Sequence, residues 1–112
     1  MADYLHVVLA YKPFDEFEGG RKTFEIRKCR GNFSENKVYE GRRVQLRRGY
    51  TQTTISGRIG RVVTGNLEEI FEQVNHKLIV PISLSPEHSK AIISTYLKIE
   101  NGEKYIAFEV IH

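Results

Sequence analysis

The residues best suited to chemistry lie in the segment Gly20–Lys28, which reads GRKTFEIRK. A glycine turn leads into a strand pattern on which Thr23, Glu25 and Arg27 share one face. Glu25 and Arg27 are close enough to form an ion pair, and Lys22 at the start of the strand reaches the same cleft. Such a group can hold a base or a phosphate. The alternative is an exposed ladder of charges with little energetic consequence.

The same residues also permit catalysis. A desolvated Lys22 can activate a hydroxyl or a water molecule while Glu25 handles the proton. The burial that would tune Lys22 in this way is not visible in a sequence. Binding is therefore the preferred hypothesis, and catalysis by Lys22 and Glu25 is the alternative.

Positive charge is concentrated in one part of the chain. Residues 21–61 hold twelve Lys and Arg against three Glu, a net of +9, whereas the rest hold five basic and eleven acidic side chains, a net of −6. This split is typical of a surface that binds a polyanion and is backed by an acidic remainder. The alternative is that the basic side chains protect exposed strand edges from aggregation.

An aromatic residue lies among these cations. Tyr50 follows Arg47 and Arg48 at the tip of a predicted hairpin, and a ring between cations is the combination that grips unstacked bases. Tyr50 is otherwise an ordinary turn tyrosine. In this interpretation arginines of the loop and hairpin contact phosphates, which positions a nucleic acid without specifying its sequence. These arginines are Arg30, Arg42, Arg43, Arg58 and Arg61.

Other kinds of site find little support. The four histidines show no paired spacing, and Cys29 is the only cysteine, so we expect no metal site, no intrachain disulfide and no cofactor. No apolar run approaches the roughly 20 residues that cross a bilayer, and the N-terminus lacks the apolar stretch of a signal peptide. We expect a cytoplasmic protein without a membrane partner.

Five strands and three helices are predicted to position these residues. Alternating or β-branched patterns predict strands, and the pair before and after Gly49 predicts an antiparallel hairpin. Gly57 and Gly60 within its second strand suggest a bend or a bulge. The predicted strands are Tyr4–Ala10, Lys22–Lys28, Arg42–Arg48, Thr51–Thr64 and Lys104–Ile111.

The helices are predicted from their caps and apolar stripes. Tyr11–Glu18 is followed by two glycines, Asn66 forms a capping box with Glu69, and Ser85 precedes a helix that runs toward Leu97. A chain of 112 residues is long enough for one core, so residues 1–112 are interpreted as a single domain. The order of elements predicts an α+β fold, with a small curved mixed sheet or partly closed barrel and about three flanking helices.

The segment GRKTFEIRK resembles a known signature. Gly20, Lys22, Glu25 and Arg27 match the G-x-K-x-x-E-x-R pattern of ASCH domains, which belong to the PUA superfamily. The run K-T-F-E-I-R-K is similar to that of an uncharacterised ASCH-like subgroup of phage and bacterial proteins, in which a histidine like His6 lies in the first strand. The resemblance covers roughly residues 5–64 and, more loosely, the last strand.

The resemblance implies a PUA-like β-barrel with a cleft between barrel and helix that binds RNA or a modified nucleotide. Some ASCH relatives are amidohydrolases that act on acetylated cytidine through a lysine, a threonine and a glutamate, and others are linked to RNA cleavage. Lys22 matches that lysine, but the threonine would fall at Glu25, whereas Thr23 lies one place after the lysine. The resemblance also implies that His6 lines the cleft.

Three functions follow as hypotheses. The first is an RNA- or nucleotide-binding module with a basic cleft, for which DNA is a further possible ligand. The second is an amidohydrolase on a modified nucleoside, or a ribonuclease, that uses the same cleft. The third is a protein-interaction module that modulates a nucleic-acid enzyme. The predicted ligand-binding residues are His6, Lys22, Thr23, Glu25, Arg27, Lys28, Arg30, Arg47, Arg48 and Tyr50.

Overall fold

A five-stranded mixed sheet organises the protein in the computed structural model, which describes residues 3–112. The strands are β1 (Leu5–Leu9), β2 (Phe24–Lys28), β3 (Arg43–Arg48), β4 (Thr54–Gly65) and β5 (Tyr105–Ile111). The helices are α1 (Tyr11–Glu18), α2 (Leu67–Gln73), α3 (His76–Ile79) and α4 (Pro86–Ile93), and a single 3₁₀ turn spans Gly31–Phe33. The predicted α+β class with a curved mixed sheet is confirmed.

The strand order determines which strands lie at the edges. It is β1-β3-β4-β5-β2, with β1 parallel to β3 and every other neighbouring pair antiparallel. The first two strands in the chain are therefore the two edges of the sheet. The predicted antiparallel hairpin is confirmed as β3 and β4, which pair from Arg43–Arg58 to Arg47–Thr54.

Strand β4 is long and irregular, as its glycines predict. Its register against β5 shifts between Ile59 and Val62, which marks a bulge at the position of Gly60. Gly57 lies where a Cβ atom would be 2.3 Å from the Ile111 carbonyl oxygen of β5. The shift reverses which side chains face each side of the sheet, so β4 serves two different layers of core.

A hydrophobic core lies on each face of the sheet. On the inner face, Phe14 and Phe17 of α1 are fully buried among side chains of β1, β3 and β5. On the outer face, Ile70 of α2, Ile79 of α3 and Ile93 of α4 pack over β2, β5 and the end of β4. The outer helices do not extend over β1 and β3.

The helix caps follow the sequence pattern. Asn66 and Glu69 form the predicted capping box, and the Ser85 hydroxyl accepts the His88 backbone N–H at the start of α4. The helices differ from prediction in two respects. The short α3 makes four helices where about three were predicted, and α4 ends at Ile93 instead of reaching Leu97. No helix within residues 3–112 has the length and apolar character needed to span a bilayer.

Strand β2 is more deeply buried than predicted. Alternation predicted a half-buried strand with Glu25 on an exposed face, yet Glu25 is only 4% exposed and Lys22 only 2%. The reason is that α1 and the α3–α4 region cover β2 from both sides. The alternative of a solvated charge ladder is therefore wrong at Glu25.

Candidate functional site

The two edge strands face each other across a seam. The sheet curls until the Arg27 side chain of β2 donates a hydrogen bond from Nη2 to the Val8 carbonyl of β1, at 3.1 Å. A cleft of about 430 Å³ opens at this seam between β1, α1, β2 and the segment from Ile79 to Leu97. We call it the seam cleft. Its volume is in the range of pockets that hold a small ligand.

Three predicted site residues meet in the seam cleft. Arg27 holds the Glu25 carboxylate through Nε at 3.1 Å and Nη2 at 2.8 Å, and Lys22 Nζ lies 3.3 Å from the other carboxylate oxygen. Lys22 Nζ also donates to the carbonyls of Phe24 at 2.7 Å and Ile79 at 2.5 Å. All three side chains line the cleft. The exposed fraction of the side chain is 27% for Arg27, 3% for Lys22 and 5% for Glu25, so Arg27 is the most accessible.

Burial and charge act in opposite directions on this group. Burial by itself raises the pKa of Glu25, but the charges of Lys22 and Arg27 and their hydrogen bonds outweigh it, so the pKa lies below its ordinary value. Burial lowers the pKa of Lys22, and the Glu25 carboxylate opposes this shift without cancelling it. The three N–H donors of the Lys22 ammonium nevertheless face three oxygen partners, which is the environment of a charged lysine.

The walls of the cleft are mostly apolar. Besides Lys22, Glu25 and Arg27, the charged lining residues are Lys12 and Glu16 of α1, so three basic side chains face two acidic ones. The strong positive charge of residues 21–61 therefore lies largely outside the seam cleft, in contrast to the predicted basic cleft. Apolar walls beside a few fixed polar groups are typical of small-molecule sites. These walls include Val8, Pro13, Ile26, Ile79, Ile82 and Ile92.

Tyr96 is a cleft residue that sequence reasoning missed. It follows α4, lines the cleft and leaves 56% of its surface exposed. Desolvation and the nearby Glu25 carboxylate raise the pKa of the Tyr96 phenol above its ordinary value of 10.0, so the phenol is a hydrogen-bond donor throughout the neutral and mildly basic range. The sequence pattern placed Tyr96 on the predicted helix that follows Ser85 and gave it no role in the site. Its position beside Glu25 depends on how α4 packs against β2, which no local pattern reveals.

Lys28 and Arg30 lie outside the seam cleft. Both contact the Glu103 carboxylate, at 3.4 Å and 3.5 Å respectively, near the turn before β5. Thr23 is also absent from the lining, and its backbone pairs with Leu78 and Val110. The strand face that Thr23 shares with Glu25 and Arg27 is therefore divided between different surroundings.

The hairpin residues are separate from the seam cleft as well. Arg48 forms a two-pronged ion pair with Asp15 at 2.9 and 3.1 Å, and its guanidinium lies 4.1 Å from the centroid of the Tyr11 ring. These contacts attach β3 to α1. Arg47 donates to the Thr51 carbonyl at 3.1 Å, and Tyr50 is 93% exposed. Tyr50 is thus free to contact a partner, whereas the charge of Arg48 is already neutralised.

His6 lies on the outer face of β1. It is exposed, its ring centroid is 6.3 Å from that of Tyr4, and it does not line the seam cleft. It shares its strand face with Val8, which does line the cleft, so His6 is one strand repeat, about 7 Å, away.

Cys29 and the possible metal ligands add no further site. Burial and the nearby Glu35 raise the pKa of the Cys29 thiol, and its sequence neighbours Lys28 and Arg30 do not offset this shift. The reason is that both cations point toward Glu103 instead. Within residues 3–112, no three His, Cys, Asp or Glu side chains converge as metal ligands do.

Comparison with known proteins supports the fold alone. No family model and no curated protein matches the sequence. The hypothetical protein PH0355 has a similar structure, with a TM-score of 0.77 and 14% identity over 94% of each chain. The ASCH protein from Zymomonas mobilis has a TM-score of 0.63 at 14% identity, covering 96% of this chain and 66% of that chain. A point mutant of that protein has a TM-score of 0.65 at 16% identity, covering 96% of this chain and 68% of that chain. This chain therefore has an ASCH-like fold.

Proposed function

We propose that this protein binds single-stranded RNA or a nucleotide, with one base in the seam cleft. The observation that carries the proposal is the Lys22–Glu25–Arg27 group fixed at the base of an apolar cleft. Apolar walls suit the two faces of a base, and polar groups at one end suit its hydrogen-bonding edge. Arg27 contacts Glu25 and Val8 through Nε and Nη2, so its Nη1 group can still donate to the base.

The mouth of the cleft also suits a phosphate. Ala10 precedes α1 and provides no side-chain cap, and Ala10, Lys12 and Pro13 all line the cleft. Only Tyr11 and Lys12 offer N–H groups there without an intrahelical partner, because Pro13 has no N–H, and the helix dipole favours an anion at that end. The Lys12 ammonium adds a positive charge at the same position. A nucleotide in the cleft would thus have partners for both its base and its phosphate.

Binding is favoured over hydrolysis by the hydrogen bonds of the Lys22 ammonium, although burial lowers the pKa of Lys22. A lysine that activates water must be neutral in part of the molecules. Its Nζ atom instead donates to two carbonyls beside Glu25, a set of partners that stabilises the ammonium. In this proposal Lys22 positions Glu25, and Arg27 contacts the ligand.

The test is a fluorescence-anisotropy titration with a labelled single-stranded RNA decamer and, separately, with a fluorescent nucleoside monophosphate. We expect Arg27→Gln to weaken binding of both probes at least tenfold. Arg21→Gln is the matched control, because Arg21 is exposed and lies outside the cleft lining. A wild-type protein that binds neither of the two probes, or an equal effect of the two substitutions, would overturn the proposal.

A further inference from the structure

A part of the sheet without helix cover forms a second surface. On the outer side of β1, β3 and β4, side chains stand in three rows that follow the strand register. The row of Val8, Arg47 and Thr54 is next to the seam cleft, and the row of His6, Gln45 and Ser56 follows. The third row continues with Arg43 and Arg58, beside Tyr4. We call these residues the open sheet face.

Among the residues that the structure describes, the positive charge of the open sheet face has no acidic partner. Within residues 3–112, no carboxylate lies within 4.0 Å of the guanidinium groups of Arg43, Arg47 or Arg58. Arg47 and Arg58 donate only to backbone carbonyls, and Arg43 lies 5.9 Å from the Tyr4 ring centroid. By contrast, Arg27, Arg30, Arg42 and Arg48 all have carboxylate partners.

The arrangement of these arginines disfavours a role in protecting strand edges. Arg43 and Arg47 lie on β3 and Arg58 on β4, and both strands have neighbours on each side. Arg43 and Arg58 are also direct cross-strand partners, and like charges directly opposite each other are destabilising. An anion bound between them would relieve that repulsion.

The open sheet face is continuous with the seam cleft. Val8 lines the cleft and is the register partner of Arg47, so one strand spacing of about 4.8 Å separates them. Arg43 lies four residues before Arg47 on the same face, about 13 Å away. That span matches about four nucleotides of a stacked strand, at roughly 3.4 Å each. Tyr4 and His6 provide rings along the way.

We propose that the open sheet face binds the phosphodiester backbone of a single-stranded RNA whose base occupies the seam cleft. The inference rests on the proposed function and extends it, because it makes the ligand an oligonucleotide instead of a free nucleotide. Arg43, Arg47 and Arg58 contact phosphates, and Arg48 takes no part because Asp15 already neutralises it.

The test compares two triple variants with equal loss of charge. The first is Arg43→Gln, Arg47→Gln and Arg58→Gln, and the control is Arg21→Gln, Lys77→Gln and Lys98→Gln, which replaces exposed cations outside the open sheet face and the cleft lining. Each is titrated with the labelled RNA decamer and with the fluorescent monophosphate at two salt concentrations. Thermal unfolding verifies that both variants fold.

We expect the first variant to lose at least thirtyfold in affinity for the decamer and to keep its affinity for the monophosphate. Its salt slope should fall by about 2, since each phosphate contact on a single strand contributes about 0.7. Equal effects of the two variants on decamer binding would overturn the inference. So would a wild-type protein that binds the monophosphate but not the decamer, although the cleft proposal would then stand.

A comparison of the first variant with Arg27→Gln separates the proposal for the open sheet face from the proposal for the seam cleft. If the first variant loses the decamer and Arg27→Gln does not, the open sheet face is supported and the cleft is refuted as the base site. A DNA decamer of the same sequence is the final probe. Tighter binding of DNA than of RNA would overturn the assignment to RNA.

Discussion

The ion pair of Glu25 and Arg27 on β2 links the stability of the fold to the candidate site. Glu25 is buried and accepts from Arg27 and contacts Lys22, so its ionised form is held by two cations at once. The two-residue spacing of Glu25 and Arg27 predicted their ion pair correctly. The burial of Lys22 was not predictable, because it depends on the Ile79 carbonyl, which lies 57 residues further along the chain.

This arrangement predicts a specific pH dependence of stability. The pKa of Glu25 in the folded protein is lower than its ordinary value of 4.5, so its stabilising contribution is fully present above that value. The contribution is lost as the pH falls through the lowered pKa. We expect Glu25→Gln to reduce the free energy of unfolding at pH 7 by about 3–5 kcal/mol, because it leaves the buried Lys22 and the partly buried Arg27 without a counter-charge.

Urea unfolding at several pH values between 7 and 3 measures this effect. The difference between wild type and Glu25→Gln should shrink on acidification below pH 4.5, as the wild-type carboxylate becomes protonated. The exposed Glu87 of α4 gives the control Glu87→Gln, for which we expect little change at any pH. A difference for Glu25→Gln that is constant with pH would contradict the lowered pKa, because it would mean that Glu25 has the same pKa in the folded and unfolded protein.

Among the elements, strand β4 shows best what a sequence pattern can predict. Gly57 and Gly60 in a strand indicated an irregularity, and the register shift against β5 lies where they indicated it. The cap-forming residues Asn66 and Ser85 likewise mark the starts of their helices. These features are local. The wall that α3 and α4 form beside the cleft was not predictable, since it results from contacts between segments far apart in the chain.

The close approach of β5 to β4 predicts a strong effect of one methyl group. In Gly57→Ala, the new Cβ would meet the Ile111 carbonyl oxygen at 2.3 Å, and backbone on both strands must shift. We expect a loss of about 1–3 kcal/mol in the free energy of unfolding, as in other overpacked sites. Gly19→Ala is the control, because its Cβ would meet the flexible end of Arg21 at 3.0 Å and the Asp15 carbonyl oxygen at an ordinary contact distance of 3.4 Å. Equal midpoints in urea for the two variants would contradict the expectation.

At the scale of the whole molecule, function depends on which strands are edges. The sequence predicted five strands and their order along the chain, but not that β1 and β2 end up facing each other. That arrangement follows from the β1-β3-β4-β5-β2 order, which is set by long-range pairing. It explains why Val8, an unremarkable residue in a sequence pattern, contributes its carbonyl to Arg27 and its side chain to the cleft.

The last prediction concerns the seam between β1 and β2. The substitution Arg27→Lys tests whether Arg27 acts by holding the seam closed or by contacting the ligand. Lysine keeps the charge but lacks the planar fork that reaches Glu25 and the Val8 carbonyl together. We expect amide hydrogen exchange in β1 to become at least several-fold faster, with no change in the central strand β4, because an edge strand that loses a tie opens more often.

Mass spectrometry of the peptide that covers β1 measures the exchange, with Arg21→Lys as the control. Faster exchange together with weaker RNA binding would mean that the seam must be closed for the cleft to form. Weaker binding with unchanged exchange would mean instead that Arg27 acts through direct contact with the ligand, since the edges then stay together without its hydrogen bond to Val8.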